Sequence, residues 1–108
     1  SKEMENYNKQ RVQLYYMDLD YYGISLLLQE RYSEGIPIMQ ELAEHNPANP
    51  RYPLILAESF LNQGKTAECA AYLAQAQTIK PEDPLQRFYL HYLYEQYLKM
   101  KNVRNSGQ

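Results

Sequence analysis

The sequence predicts an all-α protein of antiparallel helix pairs in tandem. Three observations carry that prediction. Pro47-x-x-Pro50 and Pro81-x-x-Pro84 stand 34 residues apart, the length of a helix–turn–helix repeat. Apolar side chains elsewhere recur at helical spacing. Nothing alternates with a period of two for long enough to form a strand.

Each element has its own signals. Between Met4 and Gln29 there is no proline, and Gly23 is the one glycine. Leu19, Tyr22 and Leu26 recur at helical spacing, which predicts one long helix and a break at 30–32. Ser33 is the expected N-cap of a second helix. Pro37 then falls in its first turn, where a missing N–H costs least. That helix runs to about Glu44 and stops before Asn46-Pro47. Asn49-Pro50 pairs a capping residue with proline at the first helical position. The third helix therefore runs to Asn62, and Gly64 ends it. Thr66 is the expected cap of the fourth, which ends near Ile79. Asp83-Pro84 repeats the start signal, and a fifth helix runs to about Lys101.

A chain of 108 residues makes one domain. Such a chain buries roughly two-thirds of its surface on folding. A net charge of −2 gives no general attraction to nucleic acid or anionic membrane. No apolar run reaches the length needed to span a bilayer. No signal peptide opens the chain, and the polar ends SKEMEN and NVRNSGQ suggest the trimmed edges of a longer protein. Lys99, Lys101 and Arg104 gather near the end, where a helix C-terminus favours cations. Cys69 is the single cysteine, which excludes an intrachain disulfide and a cysteine metal cluster. Twelve tyrosines and no tryptophan suit a surface that is buried in one state and wet in another.

Residues 50–83 carry Leu56, Ala57, Phe60, Gly64, Cys69, Leu73, Ala76 and Pro81. Residues 16–49 carry Leu19, Tyr22, Gly23, Leu26, Gly35, Met39, Leu42 and Pro47 at matching places. In this pattern the chain resembles the tetratricopeptide repeat family. The resemblance implies antiparallel hairpins in a right-handed superhelix. It divides the domain into an extension 1–15, repeats 16–49 and 50–83, a terminal helix 84–101 and a tail 102–108. Gly23 and Ala57 on the first helix of each pair face Gly35 and Cys69 on the second. All are small, because large residues there would wedge the hairpins open. In the unfinished third repeat, Leu90, His91 and Tyr94 fall on packing positions.

The resemblance also implies a concave groove lined by the first helix of each pair. The first repeat supplies Met17, Asp20, Tyr21, Ile24, Leu27 and Leu28. The second supplies Arg51, Leu54, Ile55, Glu58, Leu61 and Asn62. The last helix supplies Leu85, Phe88, Tyr89, Tyr92, Glu95 and Gln96. Most are apolar or aromatic, which suits an amphipathic helix or an extended apolar peptide. Family members that clamp a C-terminal carboxylate use lysine, arginine and asparagine there. Asp20, Ile24 and Ile55 occupy those places here, so that function is rejected. The expected partner is a protein or peptide with apolar side chains, with Asp20, Arg51 and Glu58 selecting register. The alternative is that these residues pack on one another. The last helix is apolar around nearly its whole circumference, and such a helix is normally buried. A symmetry mate, a following repeat or a partner is expected to cover it through Leu93 and Tyr97, which predicts a homodimer or a larger intact protein.

No catalytic residue, cofactor or metal is expected. Gly64-Lys65-Thr66 resembles the end of a phosphate loop, but Ser59 stands where that motif needs glycine. The proline pairs are explained by helix starts better than as ligands for aromatic peptide-binding domains. His45 and His91 form no His-Glu-x-x-His pair. Cys69 has no nearby base in sequence and is expected to be a buried, inert thiol. Asp18 with Asp20, and Glu41 with Glu44, suit solvated faces.

Two narrower resemblances complete the expectations. "NPANPRYPLILAESFLNQGK", followed by "PEDPL" and an aromatic helix, resembles the repeat domain after the catalytic domain of some bacterial envelope zinc metalloproteases. That implies an accessory domain of an enzyme. "PRYPLILAESFLNQGKTAECAAYLAQAQ" resembles the last repeat of type III secretion translocator chaperones, which are cytoplasmic dimers with three repeats. The two place the chain in a bacterial periplasm or cytoplasm.

Overall fold

A computed structural model describes residues 1–106, with side chains through residue 103. It contains α1 (Lys2–Leu28), α2 (Tyr32–His45), α3 (Arg51–Asn62), α4 (Thr66–Ile79) and α5 (Pro84–Ser106). No strand occurs among the described residues. Where the sequence suggests one domain, the contacts fall into two compact units: residues 1–42, and Ala43 onward.

In the first unit, α1 opens on Ser1, whose Oγ accepts a hydrogen bond from the Met4 N–H at 3.3 Å. Glu3 and Glu5 in its first turn complement the helix dipole. Its end is a tight reversal at Glu30, which takes φ 60°. The Glu30 and Arg31 N–H groups donate to the Leu27 and Leu26 carbonyls, both at 2.9 Å. That is the two-bond reversal usually built on glycine.

Two sequence expectations shift here. Arg31, not Ser33, precedes α2, and its carbonyl accepts from the Gly35 N–H at 2.9 Å. An ion pair between Arg31 Nη2 and Glu34 Oε2 at 2.5 Å closes the corner. Pro37 is therefore the sixth residue of α2, beyond its first turn. It forgoes one helical hydrogen bond, and α2 continues regardless. α1 and α2 meet closely: a methyl group on Gly35 would lie 2.7 Å from Leu27 Cδ2 and 3.3 Å from the Gly23 carbonyl oxygen.

In the second unit α5 starts at Pro84 as expected, whereas Pro50 takes the cap position of α3, which starts one residue later at Arg51. Asn49 Oδ1 accepts from the Arg51 N–H at 3.0 Å, and Asp83 Oδ1 accepts from the Leu85 N–H at 2.8 Å. α3 ends at Asn62, and Gly64 turns the chain with φ 74°. Lys65, not Thr66, takes the cap position of α4. Lys80 ends α4 with φ 60°. α5 passes Lys101, its expected end, and continues to Ser106. The residue 34 positions beyond Gly64 is Leu98, so the stop signal is missing. Lys99 and Lys101 consequently lie inside the helix, and Lys101 Nζ sits 5.9 Å from the Tyr97 ring centre. The Arg104 side chain and tail residues 107–108 lie outside the described residues.

This unit has a continuous core. Leu54, Ala57 and Leu61 of α3 meet Cys69, Leu73 and Ala76 of α4 and Leu93 of α5. Phe60 and Tyr72 stack beside it, with ring centres 5.7 Å apart. α3 packs on α4, α4 on α5, and α3 on α5.

Candidate interaction surface

Within the second unit, α3 and α5 are the first helices of successive repeats and are in contact. Residues 34 apart take equivalent places on them, so Ile55 corresponds to Tyr89 and Glu58 to Tyr92. Phe88 is 70% exposed, Leu85 78% and Tyr92 48%. Ile55, Glu58 and Tyr89 are half-buried, and Arg51 is exposed. Burial raises the pKa of the Glu58 carboxyl above its ordinary value. The exposed side chains of this set on α5 are thus apolar or aromatic, and α3 carries one half-buried carboxyl group.

Three residues expected at contact surfaces belong to the core instead. Leu54 and Leu93 are both 1% exposed and share one cluster with Ala57 and Leu73. Leu61 joins them. Leu54 lies on the inner side of α3, one position before the half-buried Ile55. Leu93 lies on the side of α5 that meets α3 and α4, so it is not an oligomer contact. Tyr97 packs half-buried on the same cluster, edge-on to Tyr94 at 6.0 Å.

The apolar circumference of α5 thus divides. Tyr89, Leu90, Leu93, Tyr97 and Met100 turn inward. Leu85, Phe88 and Tyr92 turn outward. The sequence missed that division because leucine and tyrosine occur on both sides.

In the first unit, Tyr21 and Leu28 are well exposed, whereas Asp20 and Ile24 are half-buried. All four lie on α1.

Reactive chemistry does not converge on these surfaces. Cys69 is fully buried, and burial pushes its thiol up to about 11. Gly64 and Lys65 lie in the turn between α3 and α4, and Thr66 is the first residue of α4. His91 departs from its expected packing role: it is exposed, with Nε2 3.1 Å from Glu95 Oε1. No cluster of metal-binding side chains occurs among the described residues. None of the described helices is long and apolar enough to cross a membrane.

A family model for the tetratricopeptide repeat matches residues 26–87. The match runs from the last turn of α1 into the first turn of α5, stopping just before Phe88. Neither a curated protein nor a solved structure matches the chain.

Proposed function

Because the chain belongs to the tetratricopeptide repeat family, we propose that it is a non-catalytic protein-binding module that takes an apolar peptide or helix on its α3/α5 face. The observation that carries this reading is the outward row Leu85, Phe88 and Tyr92, all substantially exposed on a folded unit. Exposed apolar patches on soluble domains commonly mark interaction sites.

The mechanism is burial. Each aromatic ring covered by a partner contributes about 2 kcal/mol at the usual area coefficient. Ile55 and Tyr89, already half-buried, form the floor. Glu58 sets register, because a half-buried carboxylate gains most from a donor placed opposite it. Arg51 flanks the face on α3. In the first unit, Tyr21 and Leu28, with Asp20 and Ile24 beside them, carry the same proposal separately.

The test is a titration of the intact chain with fluorescent apolar peptides, both helical and extended. Phe88→Asp should weaken binding by about a hundredfold, the cost of losing an aromatic anchor to a charge. Far-ultraviolet circular dichroism should be unchanged. Undiminished binding by a folded Phe88→Asp variant would refute the assignment of this face.

A further inference from the structure

Another surface lies along α1. Met4, Tyr7, Leu14, Tyr15 and Tyr22 are each more than half exposed. Their spacing puts them on one side of the helix. Arg11 and Asp18, both exposed, stand in the gaps of that row. The Arg11 guanidinium carbon sits 5.8 Å from the Tyr7 ring centre. The side of α1 that meets α2 is a different one: it carries the buried Leu26, and Gly23 beside Ile38 and Met39 of α2.

The charges in this row select its occupant. Arg11 and Asp18 have opposite sign and lie seven residues apart, so they take equivalent places two turns from each other. In an antiparallel pair of α1 helices centred between Leu14 and Tyr15, Arg11 of each copy stands opposite Asp18 of the other. In the same register Leu14 meets Tyr15, and Tyr7 meets Tyr22. Sliding one helix by seven residues sets Arg11 against Arg11 in one direction and Asp18 against Asp18 in the other. Parallel pairing in register does both. Lys2, Glu5, Lys9 and Asp20 fall on the opposite side of the helix by their spacing, and Glu3 stands at the edge of the row. One face thus supplies both halves of a charge-matched contact, which a two-fold pair requires.

Size sets the strength. The five apolar side chains offer on the order of 500 Å² per copy, against the roughly 800 Å² that a standard interface takes from each partner. Such an area suits a reversible dimer, not an obligate one. We propose that this face of α1 docks antiparallel on the same face of a second copy, with a centre of Leu14 and Tyr15 and a reciprocal Arg11–Asp18 pair on either side. This contact differs from the α5 contact expected from the sequence, where Leu93 is buried. It involves neither Phe88 nor Tyr92, so it stands or falls separately from peptide binding on the α3/α5 face.

The test is sedimentation equilibrium of the intact chain, which should show monomer and dimer in exchange, with a dissociation constant on the order of 10–100 µM. Arg11→Glu and Asp18→Arg each set like charges opposite one another, twice by symmetry, and should each weaken the dimer by about tenfold or more. Both residues are exposed, so circular dichroism should be unchanged. Mixing the two variants in equal amounts restores an acid opposite a base at both places, and a heterodimer of about the natural affinity should form. Amide exchange before residue 16 should slow as the natural chain is concentrated. Phe88→Asp should leave the dimer intact. A chain that stays monomeric at about ten times the expected dissociation constant would overturn the proposal. So would self-association that survives either single substitution, or a loss that mixing does not restore. Exchange before residue 16 that is independent of concentration would also count against it. Self-association abolished by Phe88→Asp would place the contact on the α3/α5 face and overturn it equally.

Discussion

A methyl group on Gly35 would sit 2.7 Å from Leu27 Cδ2 and 3.3 Å from a backbone oxygen of Gly23. The Leu27 side chain can turn away, but the Gly23 carbonyl is held by its helix. Gly35→Val should therefore cost about 1–3 kcal/mol, the usual penalty of overpacking. Urea denaturation measures it as a lower midpoint. At the equivalent place in the next repeat, Cys69 is fully buried and its thiol is pushed from 9.0 to about 11. The folded chain thus holds that proton more tightly than the unfolded chain. The resulting stability is complete below pH 9, and is lost as pH rises through about 11. The difference in urea midpoint between the natural chain and Cys69→Ala should narrow across that window. A thiol reagent at pH 8 should label Cys69 only under denaturing conditions.

At the scale of the element, α5 is the instructive case. Its sequence is apolar nearly all round, yet one side is core and another is open. Leu93→Ala should cost about 2–5 kcal/mol, because it empties a fully buried site. Phe88→Ala should change stability by less than about 0.5 kcal/mol, because that ring is mostly in water. Thermal or urea unfolding of the two variants separates the faces; equal losses would mean that Phe88 is also core. The helix ends show a related contrast. Asp83 caps α5 as its sequence signal indicates, and Asn49, one residue before the cap of α3, still accepts from the Arg51 N–H. The reversals at Glu30 and Lys80 do not announce themselves, because neither residue favours φ near 60°.

Across the whole molecule, burial is uneven. Residues 1–15 are all exposed, and the first buried residue of α1 is Gly23. Helical turns without tertiary packing are held by local hydrogen bonds alone. Native-state amide exchange should therefore be fastest before residue 16 and slowest across Leu54–Leu61 and Cys69–Ala76. Uniform protection would contradict that distribution. Much of this architecture was legible in the sequence. The proline-led starts, the stop at Gly64 and the small residues at Gly23, Gly35, Ala57 and Cys69 are local or pairwise requirements, each met by one or two residue types. They fixed the helix pairs, the repeat length and the membership in a family of binding modules. The interaction surface was legible only in part. Leu54 and Ile55 are neighbours of similar hydropathy, as are Tyr92 and Leu93, and composition does not separate core from surface among them. Only the tertiary structure assigned Leu54 and Leu93 to the core, left Phe88 and Tyr92 in water, and opened a cleft beside Tyr94. The physical reason is that capping and turning depend on a residue's own backbone, whereas burial depends on which helix lies opposite.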